Sequence, residues 1–408
     1  MLFLYNLGIR LYVFAIRIAS LFNSKAKLWI DGRKNSFENL KSDFQDNPKV
    51  LWFHVSSLGE FEQGRPVIEA VKKKYPDYKI LLTFFSPSGY EIRKNYSGAD
   101  FIYYLPVDTK QNAKQFLEIV NPTIAFFVKY EYWFHYLKQL NNKKIPTYIF
   151  SAIFRENQLF FKPQGKWYRK MLSFFKVLYV QNDRSKELLK TIGIQNVVIA
   201  GDTRFDRVFD ISQQKKDLPL IEKFAQNSKV IVAGSTWEKD EELISDYIEA
   251  HKEIKWIIAP HEIHESHIEK IEKLLKNKCL RYSGATQDNI LSVNVLIIDS
   301  IGLLSSLFKF GHVAYIGGGF GSGIHNTLEA ATYGIPVLFG PNYKNFQEAC
   351  DLIEKNAGFS INNSSEFISA LNSLFTDEIL RNEAGNAAIN YVNSMRGGTK
   401  IILAELAP

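Results

Sequence analysis

The chain has 408 residues, 46% hydrophobic and 23% charged, with 24 Gly, 13 Pro and 2 Cys, which is globular composition at two-domain length and excludes disorder, collagen and a disulfide-stapled scaffold. Cys279 and Cys350 are too few for a Cys-based zinc site and point to a reducing compartment. The net charge of +7 is unevenly held: residues 1–210 carry 32 Lys+Arg against 19 Asp+Glu and residues 211–408 carry 18 against 24, so the halves are +13 and −6. A basic half attracts an anionic surface, whether nucleic acid or phosphorylated lipid.

Residues 1–22, MLFLYNLGIRLYVFAIRIASLF, reach the length of a spanning helix but are interrupted by Arg10 and Arg17. On a helix, Asn6, Arg10 and Arg17 share a narrow stripe, and Leu2, Phe3, Leu4, Leu11, Val13, Phe14, Ile16 and Ile18 take the rest of the circumference. The pattern predicts a helix lying in or dipping into a bilayer surface; the alternative is a helix packed on the protein's own core. A cleaved secretory signal is disfavoured, because no short basic start or clear small-residue cleavage site frames the stretch.

After the basic stretch 25–34, short apolar runs alternate with helical patterns, as in parallel sheets covered on both faces. Strands are predicted at 50–55, 79–84, 101–104, 123–128, 146–150, 177–180 and 197–200, with helices at 61–74, 109–120, 132–140 and 185–192 between them. The polar stretch 211–219, containing QQKKD, reads as a linker. From Lys229 the pattern restarts, with strands at 230–233, 255–259, 295–298, 312–316 and 336–339. The expected organisation is a membrane-associated helix (1–24), an α/β domain (25–210), a linker (211–220) and a second α/β domain (221–408) whose final helix is free to pack back on the first. Two doubly wound domains facing a cleft are the economical architecture, with ligands at the carboxyl ends of the strands.

Three stretches carry chemistry. In LWFHVSSLGEFEQ, Glu60 follows a buried strand and a short turn at the start of a helix, where the helix dipole favours an ionised carboxylate able to take a proton; a Glu serving only the helix is the alternative. Glu131 has the same placement after the strand at 123–128, so both carboxylates are expected to face the cleft. In YIGGGFGSGIHNTLEAATYGIPVLFGP (315–341), five glycines precede a predicted helix at 326–333, an arrangement suited to phosphate, although it is neither a Walker loop nor a good dinucleotide fingerprint. Glu329 is placed to accept hydrogen bonds from a ribose. His261, His264 and His267 have the wrong spacing for a helical metal pair; the reading is a helix starting after Pro260, His261 near a ligand and the other two solvated. The 31 Phe, 20 Tyr and 6 Trp form no basic-aromatic module for nucleic acid and belong mostly to the core.

Together HVSSLGE (54–60), TFFSPSGYE (83–91), YLPVD (104–108), KYEYW (129–133), QNDRSKELLKTIGI (181–194), GDTRFDRV (201–208), GST (234–236), DSIGLL (299–304) and the glycine-rich block resemble the Kdo transferases of lipopolysaccharide assembly. Those are GT-B glycosyltransferases that move 3-deoxy-D-manno-octulosonic acid from CMP-Kdo to lipid A precursor at the cytoplasmic face of the inner membrane. The resemblance implies Glu60 as general base and Glu131 and Arg204 as transition-state stabilisers. It assigns Pro260, His261, Ser300, Ile301, Gly302, Asn326, Thr327, Leu328 and Glu329 to CMP, with no metal, no cofactor and no nucleic acid. CMP departs as a stable phosphate anion, which calls for positive charge and N–H donors more than for a strong acid.

The chain departs from the family in three places. His261 stands for the usual Arg after Pro260, Ser151-Ala152-Ile153-Phe154 stands for an Asn-Ala-Arg-Leu stretch with Arg155 later, and Arg204 stands for the common Lys. A GT-B enzyme for another nucleotide sugar and a non-catalytic membrane-binding relative are the rival readings.

Overall fold

The computed structural model describes residues 1–214, 216–276 and 278–406, and it divides into two compact units. Unit 1 comprises Met1–Arg207 with Arg396–Pro408, and unit 2 comprises Val208–Met395. The division falls inside the helix Arg204–Gln213, just ahead of the expected linker, of which Lys215 lies outside the described residues.

Unit 1 is built on a seven-stranded parallel sheet: β1 Val50–Val55, β2 Lys79–Phe84, β3 Phe101–Tyr104, β4 Ile124–Val128, β5 Thr147–Ala152, β6 Val177–Val180 and β7 Val197–Ile199, in the order β3-β2-β1-β4-β5-β6-β7. Every residue of β1, β4 and β5 is buried, which is why these strands read as continuous apolar runs rather than alternating ones. One face carries Trp52, Phe116, Phe127 and Tyr136; the other carries Phe53, Phe61, Phe126 and Phe150. The final helix Gly398–Ala404 belongs to this unit: Ile402 is fully buried beside the helix Leu58–Lys74, and Asp206 accepts hydrogen bonds from the N–H groups of Gly397 and Thr399, both at 2.7 Å.

Unit 2 is also built on a seven-stranded parallel sheet, with a different strand order: β8 Lys229–Thr236, β9 Ile254–Pro260, β10 Leu280–Arg281, β11 Val295–Ile297, β12 Val313–Ile316, β13 Val337–Phe339 and β14 Gly358–Ser360, in the order β10-β11-β9-β8-β12-β13-β14. The edge strands β10 and β14 escape a sequence reading because two or three residues offer no apolar run to detect. The helix predicted at 326–333 shrinks to Leu328–Ala331, so the dipole invoked there has only one turn behind it. The helix expected directly after Pro260 starts at Glu265, leaving 261–264 as a loop.

The N-terminal helix Leu2–Ala19 has no buried residue and a mean hydropathy of 1.5. It is docked on unit 1 by one face: the Tyr5 hydroxyl donates to Asp108, Asn6 Oδ1 lies 2.7 Å from His135 Nε2, and Tyr12 meets Trp29 and Phe85. The expected polar stripe is therefore split. Asn6 faces inward to a buried polar partner, while Arg10 and Arg17 stay exposed. Phe3, Leu4, Leu11, Phe14 and Ile18 point outward, between 48% and 75% exposed.

The basic stretch is also split. Lys25, Lys27 and Lys34 are exposed, whereas the Arg33 guanidinium lies 3.8 Å from the centre of the Trp29 ring and donates to the carbonyls of Trp29, Phe85 and Leu105. Arg33 is a strut of the fold and adds little to any surface field.

Candidate active site

In unit 1 the turn after β1 feeds the helix Leu58–Lys74, and Glu60 closes a capping box with Ser57. Its Oε2 accepts from the Ser57 N–H at 3.1 Å and from the Ser57 hydroxyl. Glu60 thus satisfies the helix start, as the bland reading required, and remains half-buried with Oε1 outside these bonds. The Tyr130 hydroxyl feels its charge and accepts from Arg155 Nη1 at 2.9 Å. Burial raises the Tyr130 phenol above its ordinary value, with Arg155 pulling the other way. Tyr130 and Arg155 received no role from the sequence reading; no local pattern links either residue to Glu60.

Glu131 is 6% exposed, unlike Glu60. Its Oε2 accepts from Trp133 Nε1–H at 2.6 Å and lies 3.0 Å from His54 Nε2. His54 Nδ1 lies 2.9 Å from the Thr83 hydroxyl, which accepts in turn from Trp52 Nε1–H at 2.8 Å. This chain ties the carboxyl ends of β1, β2 and β4 through the fully buried Trp52, His54 and Thr83, because the register sets His54 beside both Thr83 and Phe127. Glu131 also borders a cavity of about 560 Å³ lined by Tyr5, Ile9, Tyr130, Arg155, Leu159 and Phe160 among others, so the N-terminal helix forms part of its wall.

Arg204 lies at the start of its helix with Nε and Nη2 on Asp202 Oδ2, at 3.0 and 2.8 Å, and its backbone N–H on Oδ1 at 2.9 Å. Asp202 also receives Gln63 Nε2–H at 2.8 Å. Burial pushes the Asp202 carboxyl up, but the Arg204 charge outweighs it and holds the group below the usual carboxylate range. Arg204 is therefore a paired cation whose charge is shared with a buried aspartate.

In unit 2 the N–H groups of the glycine-rich loop are engaged partly with the loop itself and partly with β8 and the helix after it. The N–H of Gly317 bonds the Gly234 carbonyl, those of Gly321 and Gly323 bond the Gly318 carbonyl, and that of Gly318 bonds Asp240 Oδ2 at 2.9 Å. A Cβ on Gly319 would sit 2.6 Å from Gly340, and one on Gly317 would sit 2.6 Å from Thr236 Cα. These two glycines allow strand ends to approach each other, which accounts for part of the glycine density read as a phosphate cradle.

Asn326 accepts from the Leu328 N–H and donates to Glu329 Oε1, both at 3.1 Å, so the Asn326–Glu329 set is preorganised; Thr327 is fully buried. Gly302 has φ +87°, and Ile301 beside it is 88% exposed. Ser300, Ile301 and Gly302 form the loop after β11, and Pro260 closes β9.

His261 stacks on Trp237 at 4.7 Å and on His325 at 4.3 Å. Burial holds the His261 imidazole below its ordinary value, with Glu262 opposing, so this position supplies no positive charge near neutral pH. His267, expected to be solvated, is buried with Nε2 3.1 Å from Glu241 Oε1, which also accepts from Thr236. The sequence reading gave no role to His54, Trp237 and His325, although His54 lies in a predicted strand, Trp237 follows the GST motif at 234–236, and His325 lies inside the glycine block.

Residues 32–207 match the family model described as 3-deoxy-D-manno-octulosonic-acid transferase. The chain is 30% identical over 356 residues to the 3-deoxy-D-manno-octulosonic acid transferase of Aquifex aeolicus, covering 84% of this chain and 89% of that one. Among solved structures it resembles the UDP-GlcNAc 2-epimerase of Neisseria meningitidis (TM-score 0.61, 19% identity, 87% of this chain and 98% of that one). It also resembles MurG of Acinetobacter baumannii (TM-score 0.54, 11% identity, 88% and 98%). At such identities these two likenesses establish the fold, that of the GT-B enzymes.

Proposed function

The chain belongs to the 3-deoxy-D-manno-octulosonic acid (Kdo) transferase family, a group of glycosyltransferases of lipopolysaccharide synthesis, and from that premise we propose that it moves Kdo from CMP-Kdo to an acylated, phosphorylated lipid A precursor with inversion at the anomeric carbon. One observation carries the reading: at the end of β1, Glu60 has one oxygen held by Ser57 and the other outside those bonds, beside the Tyr130–Arg155 pair. In this mechanism Glu60 takes the proton of the acceptor hydroxyl, the oxygen attacks the anomeric carbon, and the bond to CMP breaks with its electron pair leaving on phosphate. Developing charge is met by Arg204, shared with Asp202, and by N–H donors. Glu131, clamped by His54 and Trp133, acts by fixing the loop that carries Tyr130.

The donor nucleotide is assigned to unit 2 through Pro260, His261, Ser300, Ile301, Gly302 and the Asn326–Glu329 set. The acceptor is assigned to unit 1, where the cavity of about 560 Å³ combines aromatic walls with Arg155 and two residues of the apolar helix, a composition suited to a phosphorylated sugar bearing acyl chains. The outward apolar face of that helix supports residence on the cytoplasmic surface of the inner membrane, lying on it as a surface helix.

The test is product analysis by mass spectrometry with purified protein, CMP-Kdo and tetra-acylated precursor. Kdo-sized mass gains with release of CMP are expected. No CMP release with any lipid A precursor would favour a non-catalytic relative, and turnover with a UDP-sugar in a donor screen would favour the other rival.

A further inference from the structure

Three rings from three strand ends meet in unit 2. Trp237 follows β8, His261 follows β9, and His325 lies in the loop after β12. The planes of Trp237 and His325 differ by 11°, and the indole Nε1–H donates to His325 Nε2 at 3.0 Å, so the two rings are joined edge to edge. His261 lies across both, tilted 24° to each.

This contact decides which atom of His325 carries the proton. An indole nitrogen is only a donor, so Nε2 must be bare; the neutral ring then holds its proton on Nδ1. A second proton would set N–H against N–H beneath a stacked ring. Consistently, burial and then His261 lower the His325 imidazole to about 4. Among the described residues no protein group accepts from Nδ1. His325 directly precedes Asn326, which is assigned to the nucleotide, and its own backbone N–H is already bonded to Gly317.

We propose that Trp237 is a positioning residue of the donor site: its indole N–H locks His325 as an uncharged ring whose Nδ1–H is committed to an anionic oxygen of the nucleotide-activated acid sugar. The proposal rests on the assignment of the donor to unit 2. The other ionisable groups lining the cavity beside the cluster are Glu238, Lys239 and Asp240 on the helix Glu238–Ala250, Glu262 beside His261, and His267, whose Nε2 lies 3.1 Å from Glu241. Glu238 is paired with Lys270, and Asp240 is occupied by Tyr315, Gly318 and Trp237, so none of these two replaces the indole as a partner for Nε2.

The experiment is ¹⁵N NMR of histidine-labelled full-length protein across pH 4.5–8, with donor kinetics, on wild type, Trp237→Phe, and a variant carrying benzothienylalanine at 237, which keeps the ring shape and loses only the N–H. In wild type, His325 is expected as the Nδ1–H tautomer with no titration above about pH 5. Both variants should show mixed tautomers and a His325 titration moved toward the ordinary value of about 6.5. They should also raise KM for CMP-Kdo several-fold at pH 8, where the ring is neutral and only part of the population carries Nδ1–H, with kcat changed less than about twofold.

An unchanged tautomer in the folded benzothienylalanine variant overturns the lock. A changed tautomer with unchanged donor KM overturns the donor role. Absence of CMP binding by wild-type protein would instead remove the assignment of unit 2, and the NMR result would stand apart from it.

Discussion

The carboxyl ends of the two seven-stranded parallel sheets differ in strand order and in the chemistry they present. In unit 1 they hold carboxylates: Glu60 in a capping box, Glu131 clamped by His54 and Trp133, and Asp202 paired with Arg204. In unit 2 they add a cluster of uncharged rings: burial lowers the imidazoles of His261 and His325, and His261 lowers His325 further, with Trp237 packed against both. A doubly wound sheet fixes where functional side chains emerge; their neighbours fix whether they carry charge. The division suits a reaction that takes a proton from one substrate and releases a stable anion from the other.

The largest effect expected is on the charged side. Arg204→Ala leaves Asp202 buried without its partner, and stability should fall by about 3–5 kcal/mol, read as a lower denaturation midpoint. The sign follows from linkage: Asp202 is depressed in the folded state, so its stabilisation is full above the unfolded value of about 3.9 and is lost as pH falls through the folded value; at pH 7 the whole loss is felt. Adding Asp202→Asn should recover part of it. A variant with slow turnover and an unmoved midpoint would make Arg204 a dedicated catalytic cation.

Glu60→Gln should lower turnover roughly 10²-fold or more, about 2.7 kcal/mol of barrier, while thermal stability stays near wild type because Gln also serves at this capping position. Near-normal activity would return Glu60 to a purely structural role and blur the contrast between the units.

The N-terminal helix allows a finer cut. Replacing Leu11 and Phe14 by Ser on its outward face should weaken binding to anionic vesicles roughly tenfold or more, since each apolar side chain is worth about 1.5–3 kcal/mol when buried. The midpoint of unfolding should not move. Deleting residues 1–22 should in addition destabilise unit 1, because the Tyr5–Asp108 and Asn6–His135 contacts are lost. Vesicle binding unchanged by the Ser pair would mean that the helix serves only the fold.

Salt gives the smallest effect. Raising ionic strength from about 0.05 to 0.5 M shortens the Debye length from more than 10 Å to about 4 Å. KM for the lipid acceptor should rise several-fold, because Lys25, Lys27 and Lys34 are exposed. KM for CMP-Kdo should change less than about twofold. Equal sensitivity of both would remove acceptor recognition from the basic half.

The sequence by itself determined the elements that local pattern encodes. Parallel strands covered by helices appear as apolar runs, so β1 and β2, buried over nearly all their length, were read to the residue, and Glu60 was placed at a helix start because the strand, the turn and the helix start are neighbours in the chain. The quoted motifs were enough to place the chain in its family.

Tertiary structure alone decided which groups meet. Glu131 finds His54 across 77 residues, Asp202 finds Gln63 across 139, and Trp237 finds His325 across 88. It also turned Asn6 inward, and it gave part of the glycine block to strand-end packing. The reason is physical: periodicity and caps are written in neighbouring residues, whereas the charge state and partner of a strand-end side chain depend on the register and order of strands, which no short window of sequence contains.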